Sequence, residues 1–272
     1  MRIRVSHTTS YAYAGATRSI LQVLRLTPRS HEGQHVVNWT VEADSDIRMR
    51  MSEDAFGNLI HTLSTDKPVT GLTLNVTGEV RTADTGGVVA GAIERLPDAV
   101  YLRETPLTLA DDAIRALAAR VAAEAGSDPL QRLHALNTAI HAEMAFVTGS
   151  TEVTATAAEA YAQGSGVCQD LSHIFLAAAR RLGIPARSGS GDLVRVDGQV
   201  DQDAGHAWVE AHAPFLGWVG FDPANGISAS AAHVRIAVGL DYLDAAPIRG
   251  ARSGGGDETM AVKLRVAEAA QQ

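Results

Sequence analysis

The chain holds one cysteine, Cys168, which follows a glycine-rich run, Gly164-Ser-Gly-Val, at the entry to a helix-patterned stretch. A helix start offers free backbone N–H groups and the positive end of the dipole, and both stabilise a thiolate. The glycines let a substrate backbone approach closely. A buried structural cysteine is the competing explanation, because free thiols pack well in cores; position alone leaves the two level. Downstream, His206-Ala-Trp-Val-Glu-Ala-His and Gly217-Trp-Val-Gly-Phe-Asp222 read as the two strands of a hairpin. An odd-length loop centred on Pro214 sets His206 opposite Asp222, Trp208 opposite Gly220 and Glu210 opposite Trp218. Opposed residues have Cβ atoms roughly 4.5–5.5 Å apart, near enough for an imidazole–carboxylate hydrogen bond. An even-length loop would turn the two side chains to opposite faces.

A thiol at a helix start and an imidazole held by a carboxylate are the set needed for acyl transfer through a thioester. In that scheme His206 takes the thiol proton and returns it to the leaving amine, while Asp222 fixes the ring tautomer. The Cys168 backbone N–H is a candidate oxyanion donor, and Gln163, just before the loop, is a second. Trp208 is a candidate wall of the substrate pocket.

Other residues that could do chemistry fit structural roles better. His173 lies five positions after Cys168, about 140° round a helix, and so packs behind the thiol. His212 shares a strand face with His206 but sits towards the turn. Asp170 falls in a first helical turn, where the dipole alone favours a carboxylate. Asp197, Asp201 and Asp203 miss calcium-loop spacing because Gly198 follows the first of them immediately. His134 and His141, seven apart, share a helix stripe with no third ligand nearby and read as a solvated face. No metal site and no cofactor are expected.

The elements that must position these groups follow from patterning. Residues 1 to about 82 alternate with period two, as in Arg2-Ile-Arg-Val-Ser, Asn38-Trp-Thr-Val-Glu and Leu72-Thr-Leu-Asn-Val. Turn signals at Thr27-Pro28-Arg29, Phe56-Gly57-Asn58 and Lys67-Pro68 separate them, which suggests a sandwich. A joint with glycine and proline punctuation spans 83 to about 105. Thr108 through Asp111 has capping-box spacing before an Ala-rich helix ending at Gly126. Asp128-Pro129 opens a second helix, Thr156–Gln163 forms a short third, and a fourth runs from Cys168 to Gly183. Asp197-Gly198 signals a hairpin between Leu193–Val196 and Gln199-Val200. The divisions expected are a β-rich amino-terminal domain at 1–100 and a catalytic core at 101–272 that includes a C-terminal strand.

Composition sets the outer bounds. The 272 residues are 46% hydrophobic and 20% charged, an ordinary globular balance, with aromatics at 5%. A net charge of −8 argues against nucleic acid or an anionic membrane as partner. One cysteine rules out an internal disulfide and a multi-thiolate zinc site. The start of the chain lacks the apolar stretch of a secretory signal, and a cytoplasmic location is the expectation. A protein or peptide substrate is expected; oligomeric state is left open.

The blocks Gly166-Val-Cys168-Gln-Asp-Leu-Ser-His, Gly205-His206-Ala-Trp-Val-Glu and Gly217-Trp-Val-Gly-Phe-Asp222-Pro-Ala-Asn-Gly closely resemble the bacterial transglutaminase-like proteins, often described as cysteine proteases. The stretch from His233 to Tyr242 is also similar, and Leu24-Arg-Leu-Thr-Pro-Arg and Asp54-Ala-Phe-Gly-Asn resemble the β-rich region that precedes the core in that family. Ala224 stands where relatives usually carry Thr. The resemblance implies an α+β, papain-like core with an amino-terminal β-sandwich-like domain. It also implies Cys168 as nucleophile, His206 as general base and acid, and Asp222 as orienting carboxylate. The acceptor stays open between water and an amine. A non-catalytic protein-binding module on the same fold is the alternative.

Overall fold

The computed structural model describes residues 1–44 and 47–269. The front of the chain forms β1 (Arg2–Tyr13), β2 (Thr17–Thr27), β3 (Gln34–Ala43), β4 (Arg48–Glu53), β5 (Leu59–Thr65) and β6 (Gly71–Thr82), then the short β7 (Val88–Val89). Helices α1 (Asp112–Ala125) and α2 (Pro129–Glu143) follow, then β8 (Ala145–Phe146), α3 (Ala157–Gln163), β9 (Ser165–Gly166) and α4 (Cys168–Arg181). The remainder is β10 (Ala186–Leu193), β11 (Asp201–Gln202), β12 (His206–Ala213), β13 (Gly217–Asp222), β14 (Ile227–Ser228), β15 (His233–Gly239), α5 (Tyr242–Ala245), β16 (Ile248–Gly254) and β17 (Glu258–Glu268).

Two antiparallel sheets make the front, in the orders β11-β17-β1-β6-β3 and β16-β2-β5-β4. Tyr11, Leu72 and Leu74 from one sheet share an apolar cluster with Ile20, Leu24 and Leu63 from the other. Alternate residues of each strand therefore meet between the sheets, as in a sandwich. The turns signalled by Pro28, Gly57 and Pro68 all fall between strands. The closing strand β17 pairs with β1 along eleven positions, from Ile3 opposite Glu268 to Tyr13 opposite Glu258. Likewise β16 pairs with β2. The sequence-based division places these last strands with the core, but their hydrogen bonds are to the front sheets. Period-two patterning identifies a strand and says nothing about its neighbour.

The core is a sheet in the order β14-β13-β12-β10-β15, with β7 added on β13. Helix α4 lies against one face, and residues 169–180 of it are all buried. Leu171, Ile174, Phe175 and Ala178 pack with Val209, Ala211, Val219 and Phe221 of the sheet and with Leu117, Leu133 and Ile140 of α1 and α2. Burying each such Leu, Ile or Phe contributes roughly 1.5–3 kcal/mol, which fixes the helix that begins at the thiol. Asp128 caps α2 with Pro129 in first position, and Thr156 caps α3. For α1 the cap is Asp111, whose side chain accepts from Ile114 N–H. Thr108 is instead part of a 3₁₀ turn capped by Thr105, and its hydroxyl accepts from buried Arg180. The expected capping box starts one turn too early because the proline at 106 favours that tight turn first.

The joint is packed against the core sheet. Tyr101 is fully buried against Trp218 and Leu240. Glu94 holds Arg187 with both carboxylate oxygens, at 2.6 and 2.9 Å. At Asp197-Gly198 the chain turns, but no hairpin closes; the returning segment forms β11 and pairs with β17. No helix among the described residues is long and apolar enough to cross a membrane.

Candidate active site

Cys168 is the first residue of α4 and is half-buried. Helix geometry leaves the N–H groups of its first turn without a partner four residues back. Asp170 takes up one donor just outside the helix, accepting from Val167 N–H at 2.8 Å, and a second from the Thr151 hydroxyl at 2.6 Å. A Cβ on Gly166 would sit 2.6 Å from the Asp170 Cβ, so the loop needs glycine there. Asp170 thus anchors the loop that leads into Cys168, a structural role in keeping with its place in the first turn. His173 is fully buried behind it, with its Nε2 accepting from Tyr242 N–H. Burial pushes its pKa down to about 4.

His206 opens β12 and Asp222 closes β13. His206 Nε2 lies 2.7 Å from Asp222 Oδ2, and the Cys168 side chain is near enough to the ring to raise its proton affinity. With Nε2 spent on Asp222, Nδ1 is the nitrogen left for sulfur. The register differs by two residues from a loop centred on Pro214: Glu210 stands opposite Gly220 and His212 opposite Trp218. Pro214 is the second residue of the turn, not its apex, where its fixed φ is favourable. Phe215 follows it with φ 68°, and Leu216 N–H closes the turn on Ala213 O. A shift of two keeps every side chain on its face, so His206 and Asp222 meet diagonally.

Burial disfavours a charged His206, but its hydrogen bond to Asp222 and the influence of Cys168 outweigh this and push the pKa up to about 10. Asp222 is fully buried. Burial favours its acid form, yet hydrogen bonds from His206, His233 and Asn225 hold it well below the ordinary carboxylate range. Asn225 contributes its side-chain amide at 2.6 Å to Oδ2 and its backbone N–H at 3.2 Å to Oδ1.

Trp208 and Gln163 carry candidate roles in the sequence, and His233 and Tyr242 carry none. Trp208 is 2% exposed and lines a cleft on the side of His233, Glu210 and Arg235. Its indole lies over Gly189 and Gly191, where a Cβ would meet it at 2.9 and 3.0 Å, and stacks on His206 with ring centroids 6.2 Å apart. A tryptophan on the same strand face as the imidazole is drawn into the space those glycines leave. The Gln163 amide donates to Ser150 O and Ser165 Oγ, so both its N–H groups are already used. His233 carries no role in the patterning but reaches Asp222 Oδ2 at 3.1 Å. Tyr242 is also new: burial pushes its phenol up, and the charge of Cys168 adds to this. The only trace of either in the sequence is the block from His233 to Tyr242.

The ligand atoms of His206, Asp222 and His233 lie within 4.8 Å of one another, a spacing that could hold a metal ion. The Nδ1 of His233 accepts from Ser230 N–H at 3.1 Å, which puts the ring proton on Nε2. An Nε2–H is a donor to Asp222, not a metal ligand.

Residues 3–81 match the family described as the bacterial transglutaminase-like N-terminal region, and residues 115–223 match the transglutaminase-like superfamily. The chain belongs to the bacterial transglutaminase-like proteins. Cys168, His206 and Asp222 all fall within the matched core. The chain is similar to the uncharacterized protein ML0607 of Mycobacterium leprae, at 29% identity over 97% of this chain and 98% of that one. It is 27% identical to the uncharacterized protein Rv2569c of Mycobacterium tuberculosis, over 92% of this chain and 87% of that one. Its fold matches a crystal structure titled "Putative Cysteine Protease" from Cytophaga hutchinsonii, with TM-score 0.80 at 19% identity, covering 100% of this chain and 92% of that one. This transglutaminase-like core has the α+β, papain-like architecture that the resemblance implies, preceded by its β-rich region. Membership of the superfamily supports a general thiol-dependent activity.

Proposed function

We propose that this protein is a thiol-dependent acyl-transfer enzyme that hydrolyses or transfers peptide or glutamine-type amides through a thioester on Cys168. One observation carries the reading: a single imidazole, His206, is hydrogen-bonded to a buried carboxylate and has its proton affinity raised by the side chain of the one cysteine. In the first half-reaction the thiol proton passes to His206 and sulfur attacks the amide carbonyl. The N–H groups at the start of α4 face the developing oxyanion. The imidazolium then protonates the leaving amine, and the carbon–nitrogen bond breaks. In the second half, His206 takes a proton from water or an amine, which attacks the thioester and frees Cys168. Asp222 keeps Nε2 occupied throughout, so the reactive proton stays on the side of sulfur.

The single cysteine makes the test clean. Iodoacetamide is expected to alkylate Cys168 at pH 6 within about tenfold of its rate at pH 8, because the imidazolium holds sulfur as thiolate. His206→Ala is expected to lose at least tenfold at pH 6. Superimposable profiles in the two proteins would instead favour a non-catalytic binding module.

A further inference from the structure

Asp222 carries two imidazoles, not one, and the fold equips them differently. His206 lies between Asp222 and a group that releases a proton. His233, from the first position of β15, lies between Asp222 and the backbone: its Nδ1 accepts from Ser230 N–H at 3.1 Å, with the Ser230 hydroxyl at 3.5 Å. We propose that His233 is a positioning residue whose Nε2–H, fixed as the donor by Ser230, holds Asp222 ionised and aimed at His206. The proposal rests on the acyl-transfer reading above.

A hydroxyl beside Nδ1 could rotate to donate to one tautomer or accept from the other. A backbone N–H cannot, so moving the ring proton to Nδ1 would set two donors face to face. His233 is buried, and bulk water does not relieve that clash. Its Nε2–H therefore points at Asp222 Oδ2, 3.1 Å away. Trp208 holds the ring in place from the side, edge to face at 5.3 Å. Other titratable or charged groups around His233 are His206, with ring centroids 6.0 Å apart, and His31, Glu210 and Arg235, which line the cleft behind it. Arg235 spends its guanidinium on Glu210 at 2.6 Å. Asp222 thus keeps its charge on hydrogen bonds from His206, Asn225 and His233. During turnover the His206 cation comes and goes. The His233 bond does not take part in that exchange and steadies the carboxylate through it.

The experiment is the alkylation rate of Cys168 from pH 4 to 9 in wild type, His233→Phe, His233→Gln and His206→Ala. Phenylalanine keeps the ring volume beside Trp208 and removes the donor. In His233→Phe the acid limb of the profile is expected to move up by about one pH unit, a tenfold change in proton affinity. His233→Gln restores an N–H of similar reach and is expected to recover most of the shift. A His233→Phe profile that superimposes on wild type overturns the proposal, while a defective His206→Ala leaves the acyl-transfer reading intact. A normal His206→Ala profile overturns that reading itself, and the proposal with it. Should His233→Phe not fold, nitrogen NMR of ¹⁵N-histidine-labelled wild type at pH 7.5 decides, with His233 assigned by its loss in His233→Gln. The proton is expected on Nε2 alone; a proton on Nδ1 overturns the proposal.

Discussion

Two carboxylates lie close together on one face of the core sheet, and neither is exposed. Glu210 of β12 binds Arg187 at 2.8 Å and Arg235 at 2.6 Å. Asp222 of β13 binds His206 at 2.7 Å and His233 at 3.1 Å. Burial, sheet face and short contacts are alike. The partners differ: a guanidinium does not give up its proton near neutral pH, and an imidazole does. The Glu210 cluster extends through Arg187 to Glu94 of the joint and so ties the joint to the sheet. The Asp222 cluster extends through His206 to sulfur. A buried charge marks chemistry only when its neighbour can exchange a proton.

Substitution tests this contrast directly. The largest effect expected is for Asp222→Asn, which keeps the shape of the site but lets the His206 tautomer reverse. Turnover should fall about 10⁴-fold with the thermal melt little changed; near-normal turnover would remove Asp222 from the mechanism. Glu210→Gln should do the reverse. It leaves Arg235 without its carboxylate and Arg187 with Glu94 alone, and should cost about 3–5 kcal/mol in a denaturant titration. Cys168 alkylation in the protein that stays folded should change less than about threefold, and a collapse of alkylation without loss of stability would erase the distinction.

The pH dependence of stability should separate the clusters by sign. Burial raises the Glu210 pKa, but Arg235 and Arg187 overcome this and bring it down to about 2. Its contribution is therefore complete above the unfolded value of about 4.3 and drains as pH falls towards 2. His206, pushed up to about 10 from 6.5, runs the other way. Its contribution is complete below about 6.5 and is lost as pH rises towards 10. Urea midpoints should flatten on the acid side in Glu210→Gln and on the alkaline side in His206→Gln; exchanged sides would refute the assignment. The smallest effect expected is for Arg115→Ala, which removes an exposed pair with Asp112. It should move the midpoint by no more than about 0.5 kcal/mol, since water screens both charges.

Much of this was legible before any coordinates, and what was missed follows a rule. Local signals held where the chemistry is local: Asp128-Pro129 at a helix start, Gly126 at an end, and Cys168 at the head of α4. The sequence left the parity of the hairpin between His206 and Asp222 open; the observed loop is odd in length, and a two-residue slip from the expected register keeps both side chains on one face. What patterning could not reach were choices made by distant partners. Trp208 is buried because Gly189 and Gly191 leave it room. The Gln163 amide is spent on Ser150 and Ser165. His233 reaches Asp222 only once β15 joins the sheet beside β10. Asp197-Gly198 turns the chain, but β17 takes the strand that a hairpin would have kept.

The pairing of β17 with β1 has a consequence for biosynthesis. During synthesis β1 gains that neighbour only when β17 is made, roughly 10–50 s later at about 5–20 residues per second. Until then β6 can cover one flank of β1 while the other stays bare, an open template for foreign strands. A copy cut short before β17 would keep that flank permanently, so the arrival of β17 is what seals the front of the molecule.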